Sequence, residues 1–356
     1  MIGGFLGAGK TTLASRLGEH LKATGKTAAF VTNAEGSDVV DRTVLEGAGF
    51  KTENIAGGSI GNQFEAFSKA SARLLEAVEP DVFVVEPVGS SADLVGTISE
   101  PVREGKQFDF APFTVVLDAV RAAGFFKVDG EPGFSERVQY LYRKQMEEAE
   151  LVLINKTDLI SPSVLAALRE RLAAEFAGAR ILDGSSKTGV NLEAWLDAVL
   201  RGTAPIGRRV GVDVNRTGES LLGSLNCALQ VSALKGFEVN PILRELALAI
   251  AQELQTMGTQ IGHLKMAFLP EVDVGGVGRV SVVGNGGIPD LGSEFPEPIE
   301  RGNLRLNLRA EGDPDRFHAA VTNALNRVWM LFPDVFARLT QMEHFRPGLR
   351  DFGQAA

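Results

Sequence analysis

The chain of 356 residues contains a single cysteine, Cys227. One thiol excludes an internal disulfide framework and any metal site built from several cysteines. The chain also carries fewer positive than negative side chains. Its 36 Lys and Arg face 45 Asp and Glu, giving a net charge of −9 and a pI near 5.2. That balance argues against non-specific binding to nucleic acid or to an acidic membrane. No apolar run approaches the roughly 18 residues of a membrane span. No signal peptide precedes the first motif, so the expected location is the cytoplasm. What remains is an ordinary globular balance, 44% hydrophobic and 23% charged, with ample material for a core. The length suggests two domains.

Residues 1–204 read as alternating strands and helices. Short, valine-rich apolar runs stand at Thr27–Thr32, Val82–Val85, Phe113–Leu117 and Leu151–Ile154, with a weaker one at Ala179–Leu182. Such near-continuous runs suit strands buried on both faces. Helical stretches such as Asn62–Ala77 and Ser161–Phe176 separate them. This alternation predicts an α/β domain with a mostly parallel sheet, right-handed crossovers and helices on both faces. Only Met1–Gly3 precede the first loop, where a buried central strand is normally found. The expectation is that residues of that strand are missing upstream.

Residues 205–220 are polar and glycine-rich without apolar period and read as a linker. Residues 221–345 then read as a small α+β domain of order β-α-β-β-β-α, with a tail at 346–356. Leu225, Cys227, Leu229, Val231 and Ala233 alternate as in a half-buried strand. Asn240 and Pro241 are expected to open a helix, with Leu243, Leu246, Ile250, Leu254 and Met257 on one face and Gly258 closing it. Leu264, Met266 and Phe268 alternate, as do Leu304, Leu306 and Leu308, and Val280–Val283 is a short strand. Gly275–Pro298, around that strand, is expected to be an exposed loop. Asp313 and Pro314 cap a last helix carrying Phe317, Val321, Leu325 and Val328.

The first chemical signal is GFLGAGKT, Gly4 to Thr11, which fits G-x-x-x-x-G-K-[ST] at every fixed position. Glycines at Gly4, Gly7 and Gly9, with Ala8 between the last two, let the backbone curl and present N–H groups to phosphate. The helix from Lys10 places its positive end under the same anion. Lys10 supplies a cation to the β- and γ-phosphates, Thr11 a hydroxyl to magnesium, and Thr12 reaches the α-phosphate. The competing reading is a glycine-rich turn that merely caps a helix.

The second signal is Asn155-Lys156-Thr157-Asp158, directly after the strand LVLI. In P-loop GTPases an N-K-x-D run reads the base. Its aspartate accepts the N1–H and the 2-amino group of guanine, and adenine, lacking both donors, would leave a partly buried carboxylate unpaired. Lys156 can pack its stem along the base, and Asn155 ties this loop to the P-loop. An ordinary turn capped by Asp158 is the alternative, and the position after a P-loop and at a strand end favours base reading. Ser185-Ser186-Lys187 follows the next apolar run and matches the S-[AS]-K turn that covers the other edge of guanine, with Ser186 and Lys187 as candidate contacts. GTP is therefore the expected ligand, and NKTD argues against an ATP-using phosphotransferase.

On these motifs the first 200 residues or so resemble the CobW-type GTPases, the group related to the nickel-insertion GTPases HypB and UreG. The resemblance rests on GGFLGAGKTTL (Gly3–Leu13), VEPVG (Val85–Gly89), Gln145 and SSKTGVNLEAW (Ser185–Trp195). It implies that Glu86 lies near magnesium and Gly89 near the γ-phosphate. The family's N-E-F-G…D switch segment is matched loosely by Asn33-Ala34-Glu35-Gly36 and Asp41, and Asp41 is preferred to Glu35 as the residue that orients the attacking water. Lys10, Asp41 and Glu86 form the expected catalytic set. The second domain is similar in kind to the family's C-terminal domain. The implied function is magnesium-dependent hydrolysis of GTP to GDP and phosphate, slow without a partner. The protein would be a switch or chaperone for a metalloprotein or a cobalamin-dependent client, with a homodimer among the options. The alternative is a regulatory GTP-binding module with no metal cargo and little turnover.

One departure stands out. The family's C-x-C-C metal loop corresponds here to Ala56–Asn62, sequence AGGSIGN, without a thiol. Backbone and a serine hydroxyl cannot replace thiolates for zinc or cobalt. The remaining candidates read as structural. His20, His263, His318 and His344 are dispersed without ligand spacing, with His20 packed or half-exposed and His263 and Lys265 on a solvated strand face. Cys227 reads as a small core residue. Asp118 reads equally as a helix cap or a site residue. Trp329, Phe332, Phe336 and Phe345, at irregular helical spacing, read as packing.

Overall fold

The computed structural model describes residues 1–34, 40–56, 64–104, 108–130, 133–202, 210, 221–271, 276–284, 287–295 and 297–346. Two compact units emerge, Met1–Glu35 with Ala48–Glu219 and Gly36–Gly47 with Ser220–Ala356. Glu35, Gly36, the loop at 57–62, most of the 205–220 linker and nearly all of the tail lie outside the described residues.

In the first unit the valine-rich runs form parallel strands. They are β1 (Ile2–Gly3), β2 (Ala28–Ala34), β3 (Lys51–Ala56), β4 (Val82–Glu86), β5 (Thr114–Asp118), β6 (Leu151–Asn155) and β7 (Arg180–Asp183). They pair as two parallel ladders, β3-β2-β4 and β1-β5-β6-β7. The two-residue β1 also lies beside β4, so the ladders meet there. Every residue of β5 and β6 is buried, which is why their sequences run apolar without alternation. Sequence reading missed β3. Among the described residues it is an edge strand with one neighbour, so KTENIA needs little apolar content, and Thr52 and Ile55 are buried.

Helices α1 (Lys10–Ala23), α3 (Phe64–Val78), α4 (Glu100–Glu104), α5 (Ala119–Phe125), α6 (Glu136–Glu147), α7 (Pro162–Glu175) and α8 (Leu192–Arg201) flank the strands. Ser161 caps α7 by accepting the Val164 N–H, with Pro162 in the first turn. Trp195 of α8 is fully buried, and its indole N–H donates to Thr114 Oγ1 at 3.0 Å.

The second unit is an antiparallel sheet with helices. Its elements are β8 (Leu222–Phe237), α9 (Val239–Thr256), β9 (Gln260–Pro270), β10 (Gly278–Val282), β11 (Asp290–Ser293), β12 (Ile299–Glu311), α10 (Pro314–Trp329) and β13 (Phe336–Phe345). The strand order is β11-β10-β9-β12-β8-β13. The alternating leucines of β8, β9 and β12 pack with Leu246, Ile250, Phe317 and Val321 of the two helices in one core, and Cys227 is buried in it. Helix α2 (Val40–Gly47) belongs to this unit and packs on β9 and β12.

Four expectations need correction here. Gly275–Pro298 contains a second strand, β11, besides β10. Phe336 and Phe345 lie on β13, an edge strand whose side chains are largely exposed, so the alternation that marks a half-buried strand is missing. Helix α9 starts at Val239, ahead of Asn240. The Asn240 amide instead donates to the Phe295 carbonyl at 2.8 Å and accepts the Phe295 N–H at 3.1 Å. His263 is buried rather than solvated. Its Nε2 meets Asn307 Oδ1 at 2.5 Å, and Asn307 donates onward to Asn226. Burial, with Lys265 nearby, pushes the His263 imidazole pKa well below its ordinary value. His318 and His344, for which sequence offered no partner, come together with ring centroids 5.2 Å apart, and His344 Nε2 lies 2.9 Å from Asp315 Oδ1.

Candidate functional site

The loop from Gly4 to Gly9 joins β1 to α1 at the end of the parallel ladder, where open α/β sheets bind ligands. Gly4 and Gly9 have φ of 129° and 97°. A Cβ on Gly4 would lie 2.2 Å from the Val116 carbonyl, and one on Gly9 would lie 2.4 Å from Asn155 Nδ2. Any side chain at either position would break the loop's seat on β5 or on Asn155. Lys10 is buried, and its ammonium donates to the Gly4 carbonyl at 3.1 Å, inside the curl of the loop. Gly7 also has positive φ, Ala8 is buried, and Thr12 is exposed.

The VEPVG run reaches this loop from β4. The Thr11 hydroxyl donates to Glu86 Oε1 at 2.9 Å, and both residues are buried. Gly89 packs against the loop, since a Cβ there would lie 3.0 Å from both Leu6 N and Lys10 Nζ. The segment after Gly89 is held from α6. Gln145 Nε2 donates to the carbonyls of Gly89 and Ser91 at 2.9 and 2.8 Å. Glu148, fully buried just past the end of α6, accepts the N–H groups of Asp93 at 2.5 Å and Val95 at 3.0 Å. Desolvation raises its pKa to about 7 against the pull of these N–H groups.

The NKTD run follows β6. Asn155 has no solvent exposure, and its amide donates to the Ala8 carbonyl at 2.8 Å and to Ser186 Oγ at 3.0 Å. Its Oδ1 accepts the Ser186 N–H at 2.8 Å. One side chain thus joins the phosphate loop, the NKTD turn and the SSK turn. Thr157 N–H also donates to the Gly184 carbonyl at 3.3 Å. Lys156, at φ 64°, places Nζ 2.7 Å from Asp118 Oδ2. The Asp158 and Lys187 side chains are exposed.

Asp41 is on α2, in the second unit. Both its carboxylate oxygens accept from Lys265 Nζ, at 2.6 and 2.9 Å. Among the described residues no group of three or more His, Cys, Asp or Glu side chains could hold a metal ion, and no helix is long and apolar enough to cross a membrane.

The CobW/HypB/UreG nucleotide-binding domain model matches residues 1–183, just over half of the chain. The chain belongs to the CobW/HypB/UreG family. The family is one of P-loop GTPases. A zinc chaperone CobW of Sinorhizobium sp is 31% identical to this member of the family over 194 residues, 49% of this chain and 54% of that protein. A zinc chaperone CobW of Pseudomonas aeruginosa is 28% identical over 236 residues, 55% of this chain and 60% of that protein. The chain therefore spans little more than half the length of these curated relatives. The crystal structure of HypB from Helicobacter pylori in complex with nickel is 18% identical, covering 59% of this chain and 89% of that one. The TM-score between the two is 0.43.

In this CobW/HypB/UreG family member, sequence reasoning missed several residues that hold the site. Arg16 of α1 donates from Nε to the Ser186 carbonyl at 3.1 Å and from a terminal nitrogen to the Lys187 carbonyl at 3.0 Å. Arg121 of α5 donates to the Leu6 carbonyl and lies over the Phe5 and Phe134 rings. Glu148 had no signal at all. Asp118 had one, its place at a strand end, and it is both cap and site neighbour. It accepts the Arg121 N–H while facing Lys156.

Proposed function

We propose that this protein binds GTP and hydrolyses it to GDP and phosphate, as a nucleotide switch for a client protein. The observation that supports this most directly is the convergence on Asn155. Through it the loop that would hold phosphates and the turns that would read guanine become one hydrogen-bonded structure.

In this reading Gly4, Gly7, Ala8, Gly9 and Thr12 present the loop to the phosphates, with Lys10 and Gly89 beside the γ-phosphate. Asp158 takes the base edge, Lys156 its face, and Ser186 and Lys187 the opposite edge. Lys10 would leave the Gly4 carbonyl for phosphate oxygens as charge develops on them. The Thr11 hydroxyl and the Glu86 carboxylate, buried and 2.9 Å apart, are hard oxygen donors that fit magnesium. When bound there, magnesium supplies positive charge to the phosphate oxygens. Asp41 orients the attacking water in this proposal, and to do so it has to exchange the Lys265 ammonium for water.

That ion pair also favours the second reading, a regulatory GTP-binding module with little intrinsic turnover. While Lys265 holds both oxygens, Asp41 is not free to act as a base. Single-turnover hydrolysis of GTP, with and without magnesium and with candidate clients, separates the two. Magnesium-dependent release of phosphate supports the switch. Retention of intact GTP under every condition overturns it, and equal affinity for ATP and GTP overturns guanine recognition itself.

The client we propose is a metalloprotein or cobalamin-dependent enzyme, with the protein acting in the cytoplasm, alone or as a homodimer. The names of the curated relatives support a chaperone role. The cargo would not be held by thiolates at Ala56–Asn62, because the only cysteine is Cys227, buried in the core of the second unit. A stoichiometric zinc or cobalt complex of the GTP-bound protein, held at that loop, would contradict this.

A further inference from the structure

Asp118 ends β5 and stands opposite Asn155 in the β5–β6 ladder. Its side chain is almost fully buried, and each carboxylate oxygen has its own partner. Oδ1 accepts the Arg121 N–H at 3.0 Å and caps α5, while Oδ2 faces Lys156 Nζ at 2.7 Å. Burial by itself would raise the Asp118 pKa, but Lys156 and Arg121 outweigh it and hold the carboxyl below its ordinary value. Asp118 is thus a fixed anion whose contacts are spent on positioning. The Arg121 side chain, from the same helix turn, holds the Leu6 carbonyl of the phosphate loop.

We propose that Asp118 is a positioning residue for guanine recognition, holding the Lys156 side chain in the pose against which the base of GTP or GDP packs. The inference rests on the guanine-site reading above. A lysine stem is flexible, and packing it on a ring costs conformational entropy. An ammonium already held by a buried carboxylate leaves less freedom to lose when the base arrives. The αL backbone at Lys156 and the Asn155 anchor beside it fix where the stem begins, and Asp118 fixes where it ends.

The test is a double-mutant cycle on fluorescent GDP and ADP binding. Asp118→Asn keeps an oxygen for the α5 cap and removes the negative charge that faces the Lys156 ammonium. GDP affinity is expected to fall roughly tenfold, as for loss of a charge-assisted hydrogen bond. KM for GTP should rise by a similar factor while kcat moves far less. Lys156→Met keeps the apolar stem without the ammonium, and in that background Asp118→Asn should cause no further loss. Wild-type GDP affinity in Asp118→Asn, or an equal loss in both backgrounds, overturns the proposal while leaving the guanine site standing. If the wild-type protein itself does not prefer GDP to ADP, the guanine reading fails first. Should Asp118→Asn not fold, Asp118→Glu, which displaces the charge by one methylene, replaces it. An undiminished GDP preference there counts against the proposal.

Discussion

Replacing Asn155 by alanine removes three hydrogen bonds from a position with no solvent exposure. The Ala8 carbonyl, the Ser186 N–H and the Ser186 hydroxyl lose their partner together. A buried polar group left unsatisfied costs about 1–3 kcal/mol. A water entering the vacated space can satisfy part of the set. A total of about 3 kcal/mol is the reasonable sum. Expressed wholly in nucleotide affinity, that is about a hundredfold. Expressed wholly in stability, it is roughly 6–12 °C in Tm for a domain of this size. Because the side chain links the Gly4–Gly9 loop to the turn proposed to read the base, both should move. Fluorescent GDP titration and calorimetry of the unliganded protein measure the two shares. Asn155→Asp is the sharper variant. It keeps the acceptor for Ser186 N–H but sets a carboxylate oxygen against the Ala8 carbonyl, where the amide now donates at 2.8 Å. It should lose at least as much as alanine. Asn155→Ala with GDP affinity within about twofold and Tm within about 1 °C of wild type would refute the reasoning.

Three further outcomes are expected. Glu148 has a pKa of about 7 when folded against 4.5 ordinarily, so between those values the native state keeps a proton that the unfolded chain has released. Stability should therefore fall as pH rises from about 4.5 to 7, by at most roughly 1.4 kcal/mol per pH unit, and Glu148→Gln should flatten that slope in pH-resolved denaturation. Lys265→Ala severs the pair with Asp41, whose side chains are about a quarter exposed, so global stability should drop by about 1 kcal/mol or less. Amide exchange across α2 should nonetheless quicken severalfold by mass spectrometry, and an unchanged rate would show that Lys265 does not anchor the helix. Burial pushes the Cys227 thiol pKa up to about 12. The native protein should resist a thiol reagent at pH 8 and react fully once denatured, whereas rapid native labelling would contradict the core placement.

The strands of the first unit were legible where both faces are buried, as in β5 and β6, because every position must then be apolar. β3 and β13 escaped notice because edge strands need bury little, and their residues carry no periodic signal. β11 hid in a glycine- and proline-rich stretch, and α9 began two residues early because Asn240 found a partner in Phe295, 55 positions away. Asp41 was read as the aspartate of a loosely matched switch segment, yet its helix belongs to the second unit, a preference that no local pattern contains.

By itself the sequence determined the chemistry on offer. A glycine loop leading into Lys10 and Thr11, and an NKTD turn after a buried strand, are local patterns whose spacing along the chain is their geometry. Only the tertiary structure decided how those parts are held. Asn155 reaches Ala8 across 147 positions and Ser186 across 31. Arg16, Arg121 and Glu148 act on carbonyls and N–H groups far away in the chain, and His263 is buried because Asn307 stands on the neighbouring strand. The physical reason is that backbone donors and acceptors are the same at every residue. Which of them a side chain will meet depends on strand order and register, and those are settled only when the sheet is assembled.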